Sequence, residues 1–196
     1  LWYADGNVGS SSNSCKISLT DHQIIIDLAK ILNFTNKIYE RKYEVKNKLL
    51  KKSQLSLNLT SPFFRHDLIQ LGCTPNKTYH ANYPNIDTKF DKHFIRGLID
   101  GDGSFSAGKS KDAILKLVGT DKIMYGVAMR IKKHLGLNPQ SLKLEKGYKM
   151  KNFSTLIYSQ KYTDIISKWL YDGAKIYLKR KFDKAFFKKT NYMTEL

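Results

Sequence analysis

Residues 97–105 read GLIDGDGSF, and the run leading into them is FIR (94–96). An apolar, helix-like stretch therefore stops abruptly on two acids and three glycines. Gly97 and Gly101 are four apart, so a helix carries both on one face. Glycine weakens a helix, and two on one face imply a gain elsewhere, namely the close approach of another backbone. Asp100 and Asp102 sit where the helix would end, the end at which the dipole disfavours negative charge. A structural Asp-Gly turn accounts for the glycines alone. It does not account for a second occurrence, LWYADG at 1–6.

That second occurrence is part of a longer repeat. Asp5 and Asp102, Thr20 and Thr120, and Gly72 and Gly173 each stand roughly 100 residues apart. KISLTDHQIIIDLAKILNF (16–34) runs parallel to KLVGTDKIMYGVAMRIKKHLGL (116–137). Each copy reads as an acid-terminated helix, a strand ending at Thr20 or Thr120, a helix, two strands and a further helix. The threonine is the expected N-cap of the helix after it, with Asp21 or Asp121 in its first turn. The apolar face of that helix is Ile24, Ile25, Leu28, Ile31 and Leu32 in the first copy, and Ile123, Val127, Ile131 and Leu135 in the second. Strands are expected at 36–43, 53–60, 140–146 and 150–159, helices at 62–71 and 161–171, and a basic helix at 175–189. The division is a first repeat at 1–76 with a shortened motif helix, a linker at 77–92 and a second repeat at 93–196.

Lys and Arg number 34 against 17 Asp and Glu, a net charge of +17. In a chain that is 41% hydrophobic and able to form a core, such a balance points to phosphate neutralisation on a nucleic acid. An anionic membrane would call for one basic amphipathic helix, whereas Lys and Arg here spread over helices and strands alike. No apolar run is long enough to span a bilayer, and LWYADGNVGS is not a signal peptide. Cys15 and Cys73 form no metal-like pair and read as reduced thiols of an intracellular protein.

The strand QLSLNLT (54–60) shows what would meet the nucleic acid. Leu55, Leu57 and Leu59 alternate with Gln54, Ser56, Asn58 and Thr60, giving one apolar face and one of short polar groups. Lys37, Tyr39, Arg41 and Tyr43 share a face, as do Ser141, Lys143 and Glu145, and Asn152, Ser154 and Tyr158. Lys16, Ser18 and Lys116 join them from the strands that precede the threonines. A sheet face of this composition suits base edges in a DNA major groove, which admits β-ribbons.

Packed about a pseudo-twofold axis through Gly97 and Gly101, the two motif helices would bring Asp5 and Asp102 together at their ends. Two such carboxylates repel, and a divalent cation relieves the repulsion. Mg²⁺ favours oxygen donors, which the two carboxylates and the carbonyls of Ala4 and Gly101 supply. Metal beside a scissile phosphate activates water and stabilises the leaving oxygen. A calcium loop beginning at DGDGS fails, because Phe105 stands where its glycine belongs. The five histidines have no zinc spacing, and no phosphate-binding glycine loop occurs.

IRGLIDGDG (95–103) resembles the signature of the LAGLIDADG homing endonuclease family, and LWYADG resembles a shortened first copy of it. The resemblance runs over essentially the whole chain as two repeats, the monomeric double-motif arrangement. It implies an α+β fold of two pseudo-symmetric αββαββα repeats, with motif helices packed at the centre and antiparallel sheets forming a DNA-binding saddle. It implies Mg²⁺-dependent cleavage of both strands of a long, imperfectly palindromic site, leaving short 3′ overhangs. Mn²⁺ would substitute, and Ca²⁺ would bind without supporting cleavage. The catalytic acids would be Asp5 and Asp102. Asp100 would be structural, since Tyr3 stands at its place in the first copy. Basic residues near the metals would be Lys77 in one copy and either Lys179 or Lys181 in the other, and Asn7 or Ser104 would orient water. The partner would be double-stranded DNA, and the place of action a bacterial or phage cytoplasm or an organelle. Alternatives on the same scaffold are a non-cleaving DNA-binding regulator and an RNA-splicing maturase. The paired acids favour the enzyme.

Overall fold

A computed structural model describes residues 1–44, 51–107, 113–144 and 152–186. The first copy runs α1 (Trp2–Asp5), β1 (Gly6–Val8), β2 (Ser14–Leu19), α2 (His22–Ile31), β3 (Tyr39–Glu44), β4 (Lys51–Thr60) and α3 (Pro62–Gln70). The second runs α4 (Asp91–Asp102), β5 (Ser104–Ala107), β6 (Ala113–Thr120), α5 (Asp121–Leu135), β7 (Ser141–Leu144), β8 (Phe153–Ser159), α6 (Gln160–Tyr171) and α7 (Lys179–Phe186). Each copy builds one antiparallel four-stranded sheet, in the orders β1-β2-β4-β3 and β5-β6-β8-β7. The identical orders establish the repeat. The residue-by-residue reading missed β1 and β5, which are too short to carry an alternation of their own.

Local chemistry explains most boundaries. Ser61 caps α3, its hydroxyl accepting from the Phe64 N–H at 3.2 Å with Pro62 at the first helical position. Thr120 caps α5 by accepting from the Ile123 N–H at 3.4 Å. Lys132, Lys133 and His134 fill the last turn of α5, and Gly136 closes it in the left-handed conformation (φ 69°). The first copy departs from this expectation. Asp21, not Thr20, holds the N-cap position of α2, and no side-chain cap bond forms. Asp21 is occupied instead by Arg180, whose Nε donates to both carboxylate oxygens at 2.9 and 3.1 Å.

Among the described residues, the two larger of three apolar clusters lie between sheets and helices, the smallest being Val8, Cys15 and Cys73. Ile17, Leu19, Ile24, Ile25 and Leu57 form the first. Leu115, Leu117, Ile123, Val127, Ile131 and Leu156 belong to the second. Ile31, expected on the buried face of α2, is its last residue and is 60% exposed. Each core is completed from the other copy. Leu178, in the segment after α6, is buried among the first core, with Ile176 against it. Ala81, in the segment after α3, is buried in the second core, and its carbonyl accepts from the Thr120 hydroxyl.

The motif helices meet as their glycines require. A Cβ on Gly97 would collide with the backbone nitrogen of Leu1, and one on Gly101 with the Cβ of Ala4. The same Gly101 Cβ would lie 2.7 Å from Oδ2 of Asp5. Asp5 therefore reaches from the end of α1 onto the end of α4.

Candidate functional site

Every residue at this site is set by the abrupt end of a motif helix. After Asp5 the chain turns into β1, and after Asp102 into β5, with Gly6 and Gly103 as extended C-caps. The last carbonyls of each helix have no helical N–H partner. In the first copy Lys77, just beyond α3, sends its ammonium to the Gly6 carbonyl. In the second, Lys181, on α7 beyond α6, sends its ammonium to the Gly103 carbonyl, with a longer contact to the Ile99 carbonyl at 3.4 Å. The two lysines occupy the same place relative to their aspartates. This separates the two candidates of the second copy. Lys179 points away, exposed and paired with Asp183 at 2.9 Å.

The electrostatics follow from crowding. Partial burial raises the pKa of Asp102, the charge of Asp5 raises it further, and Lys77 and Lys181 oppose both. Burial likewise raises Asp5, against the pull of Lys77, Arg180 and Lys181. Burial lowers the pKa of Lys181, and the adjacent Arg180 adds to that. Both aspartates still reach solvent. A cavity of about 320 Å³ opens beside Asp102, lined by Ala4, Lys77, Leu98, Val118 and Phe153 among others.

Two carboxylates plus end-of-helix carbonyls of Ala4 and Gly101 make a hard oxygen donor set, which fits a divalent cation of the Mg²⁺ kind. Its chemistry there would be water activation and charge neutralisation. Among the described residues no group of three or more His, Cys, Asp or Glu side chains could hold a metal, so backbone oxygens, water or a ligand's own oxygens would complete such a shell.

Asp100 has a different fate. It is 1% exposed, accepts from the Tyr171 hydroxyl at 2.9 Å and from the Leu178 N–H at 3.1 Å, and faces away from the site. Tyr3, its counterpart in α1, makes the reverse tie: its hydroxyl donates to the carbonyls of Asn82 at 2.8 Å and Leu71 at 3.3 Å. Both pin a motif helix to the segment that follows the last helix of a copy. Sequence reasoning placed Asp100 correctly as structural but did not see the role of Tyr3. It also missed Arg96, buried in α4, which donates to the carbonyls of Leu170 at 2.8 Å and Ile176 at 3.1 Å.

On the open face of the first sheet the register brings the expected residues together. Asn7, Lys16 and Asn58 form one row, Ser18, Ser56 and Tyr39 the next, and Gln54 and Arg41 a third. Lys37 lies exposed just before β3. Ser56 is buried, its hydroxyl 2.7 Å from that of Ser18, so this pair satisfies itself. In the second sheet Ser104, Lys116, Ile157 and Ser141 form a row, next to Val118, Thr155 and Lys143. Here one expectation fails. Tyr158 is fully buried in the second core, and Ser154 is buried with its hydroxyl donating to Asp121 at 2.6 Å. In FSTLIYS (153–159) polar and apolar residues occur on both faces, so alternation could not tell the two apart. Asn152 is exposed but precedes β8 in a turn. Glu145 and the end of the expected basic helix, 187–189, lie outside the described residues.

The fold is that of LAGLIDADG domains. The chain is similar to the N-terminal LAGLIDADG domain of DUF199/WhiA, at 15% identity and a TM-score of 0.55, over 94% of this chain and 82% of that one. It is similar to full-length DUF199/WhiA from Thermatoga maritima at 14% identity and a TM-score of 0.55, covering 94% of this chain but only 56% of that one. It is also similar to the homing endonuclease I-WcaI, solved bound to its DNA recognition sequence, at 13% identity and a TM-score of 0.56, over 92% of this chain and 81% of that one. No family model and no curated protein matches the sequence.

Proposed function

We propose that this chain is a site-specific DNA endonuclease of the LAGLIDADG type, acting as a monomer whose two copies each face one half of a long duplex site. The observation that carries the reading is the equivalent setting of Asp5 and Asp102, each followed by a glycine whose carbonyl accepts from a lysine, Lys77 or Lys181, where two motif helices meet. A sheet that only holds DNA has no need of two carboxylates brought together where the motif helices end.

Asp5 and Asp102 would hold Mg²⁺ with the carbonyls of Ala4 and Gly101. Bound there, the metal supplies an activated water and a counter-charge to the leaving oxygen. Lys77 and Lys181 keep positive charge at the two scissile positions while fixing the turns after each aspartate. Asn7 and Ser104, two residues beyond the acids and both exposed on the open sheet faces, would orient water. The net charge of +17 draws the duplex in, and the open faces of the two sheets form the saddle that reads it.

The test is incubation of the purified protein with a randomised duplex library in Mg²⁺, then in Mn²⁺ and Ca²⁺. The expected result is enrichment of one long site cut on both strands in Mg²⁺ or Mn²⁺ and bound uncut in Ca²⁺. Asp5→Asn and Asp102→Asn should bind that site without cutting it. Tight, selective binding with no cleavage in any metal would replace the enzyme with a DNA-binding regulator on the same scaffold. Selective binding of folded intron RNA over duplex DNA would replace it with a maturase.

A further inference from the structure

The two sheets are equivalent in topology and unequal in chemistry. Register makes the comparison exact position by position, because Lys16 pairs with Asn58 in the first sheet as Lys116 pairs with Ile157 in the second. Counting from these lysines, Ser14 corresponds to Ile114, Ser18 to Val118 and Asn58 to Ile157. At three equivalent places on the open face, a hydrogen-bonding residue in one copy is a β-branched aliphatic in the other.

The three aliphatics are neighbours. Ile157 lies directly opposite Lys116, and Ile114 and Val118 flank Lys116 on the same strand, so both are diagonal neighbours of Ile157. All three are half-buried rather than sunk in the core, whose residues Leu115 and Leu117 point the other way. The patch is therefore three methyl-bearing side chains beside an exposed ammonium, with Ser104 on its remaining side. The equivalent place in the first sheet is an ammonium beside Ser14, Ser18 and Asn58.

In the major groove one base presents a methyl group beside a hydrogen-bond acceptor. Thymine offers its C5-methyl next to O4, while the other three bases offer only donors and acceptors. Resting on the DNA-binding reading above, we infer that the half-site under the second sheet is specified by thymine methyl groups packed on Ile114, Val118 and Ile157. Lys116 donates to the neighbouring acceptors, and the half-site under the first sheet is specified by hydrogen bonds.

Uracil is thymine without the methyl, so the prediction can be tested without altering the protein. A site selected from the randomised library is resynthesised with uracil for thymine in one half or the other. Binding is measured in Ca²⁺, with the parent protein and with Ile157→Asn. Uracil in one half should weaken the parent about four-fold for each methyl lost from contact. Uracil in the other half should change it less than two-fold. The sensitive half should be the one whose base preference shifts in Ile157→Asn, and that variant should lose most of its uracil sensitivity. Equal sensitivity of both halves, or sensitivity confined to the half that Ile157→Asn leaves unchanged, overturns the inference while the DNA-binding reading stands. Failure to enrich any duplex overturns both.

Discussion

Gly101→Ala tests the central contact most sharply, because its local and tertiary effects oppose each other. Within α4, alanine in place of glycine stabilises a helix by about 1 kcal/mol. Against α1, the new Cβ would overlap the Cβ of Ala4 and lie 2.7 Å from Oδ2 of Asp5. The Ala4 Cβ is fixed to its backbone and cannot rotate away. To regain van der Waals distance the two helices must part by roughly 1 Å, and overpacking of this kind costs about 1–3 kcal/mol. The net loss is then about 0–2 kcal/mol, a fall in Tm of at most roughly 8 °C for a domain of this size. The effect on cleavage should be far larger. A displacement of roughly 1 Å between the two acid sets is enough to cost on the order of 100-fold in rate. The assay is single-turnover cleavage of the selected site in Mg²⁺ beside thermal melting, for Gly101→Ala, Ala4→Gly and the double variant. The double variant removes the Cβ that collides and should recover at least about ten-fold in rate over Gly101→Ala. The reasoning is refuted if Gly101→Ala melts higher by the full helix gain and cleaves at the parental rate.

Four further outcomes are expected. Asp102→Asn should melt higher than the parent at pH 7 without metal, by roughly 2–4 °C at most, since the carboxylates reach solvent and their mutual repulsion is worth only about 1 kcal/mol. Because burial, aided by Asp5, holds Asp102 above the usual carboxylate range, the metal-free fold binds that proton more tightly than the unfolded chain does. Its stability should rise as pH falls through that raised value and be lost as pH rises through it, a trend that Asp102→Asn should flatten in pH-dependent melts. Lys181→Met should slow cleavage by 100-fold or so, and Lys179→Met by less than about two-fold, given that Lys179 only pairs with Asp183; similar losses in both would undo the choice between them. Tyr171→Phe strips a donor from the buried Asp100 and should cost about 1–3 kcal/mol by denaturant melt, where an unchanged midpoint would mean the tie is idle. Gln54→Ala or Asn58→Ala should change base preference while leaving the slope of log affinity against log salt unaltered, whereas Lys16→Ala should flatten that slope by about one charge.

Much of this was legible in the chain because the informative features were local. The Gly97/Gly101 spacing and the Asp-Gly ends lie within short windows and the roughly 100-residue repeat recurs along the chain; together they imply the paired helices, while the first strand of each copy came only with the family resemblance. QLSLNLT declared its two faces because Leu and polar residues alternate strictly. FSTLIYS did not, and only its pairing with β6 shows that Tyr158 faces inwards. The choice of Lys181 over Lys179 was equally out of reach, since both sit in one basic run and only the path of α7 turns one towards Gly103. Asp21 reads from sequence as a first-turn acid serving its own helix. In the fold it serves Arg180 from the second copy, a partner no local pattern indicates.

The crossed completion of the two cores has a consequence for synthesis. Domains generally fold N-terminus first as they emerge. Here the first sheet and its helices are made early, yet the place that Leu178 fills stays open until the second copy has been translated as far as the segment after α6. The first half must wait for the second as a partly finished structure with an apolar gap. A ribosome stalled between the copies would release a product prone to aggregate, and expressing the halves as separate polypeptides should recover fold only when both are present together.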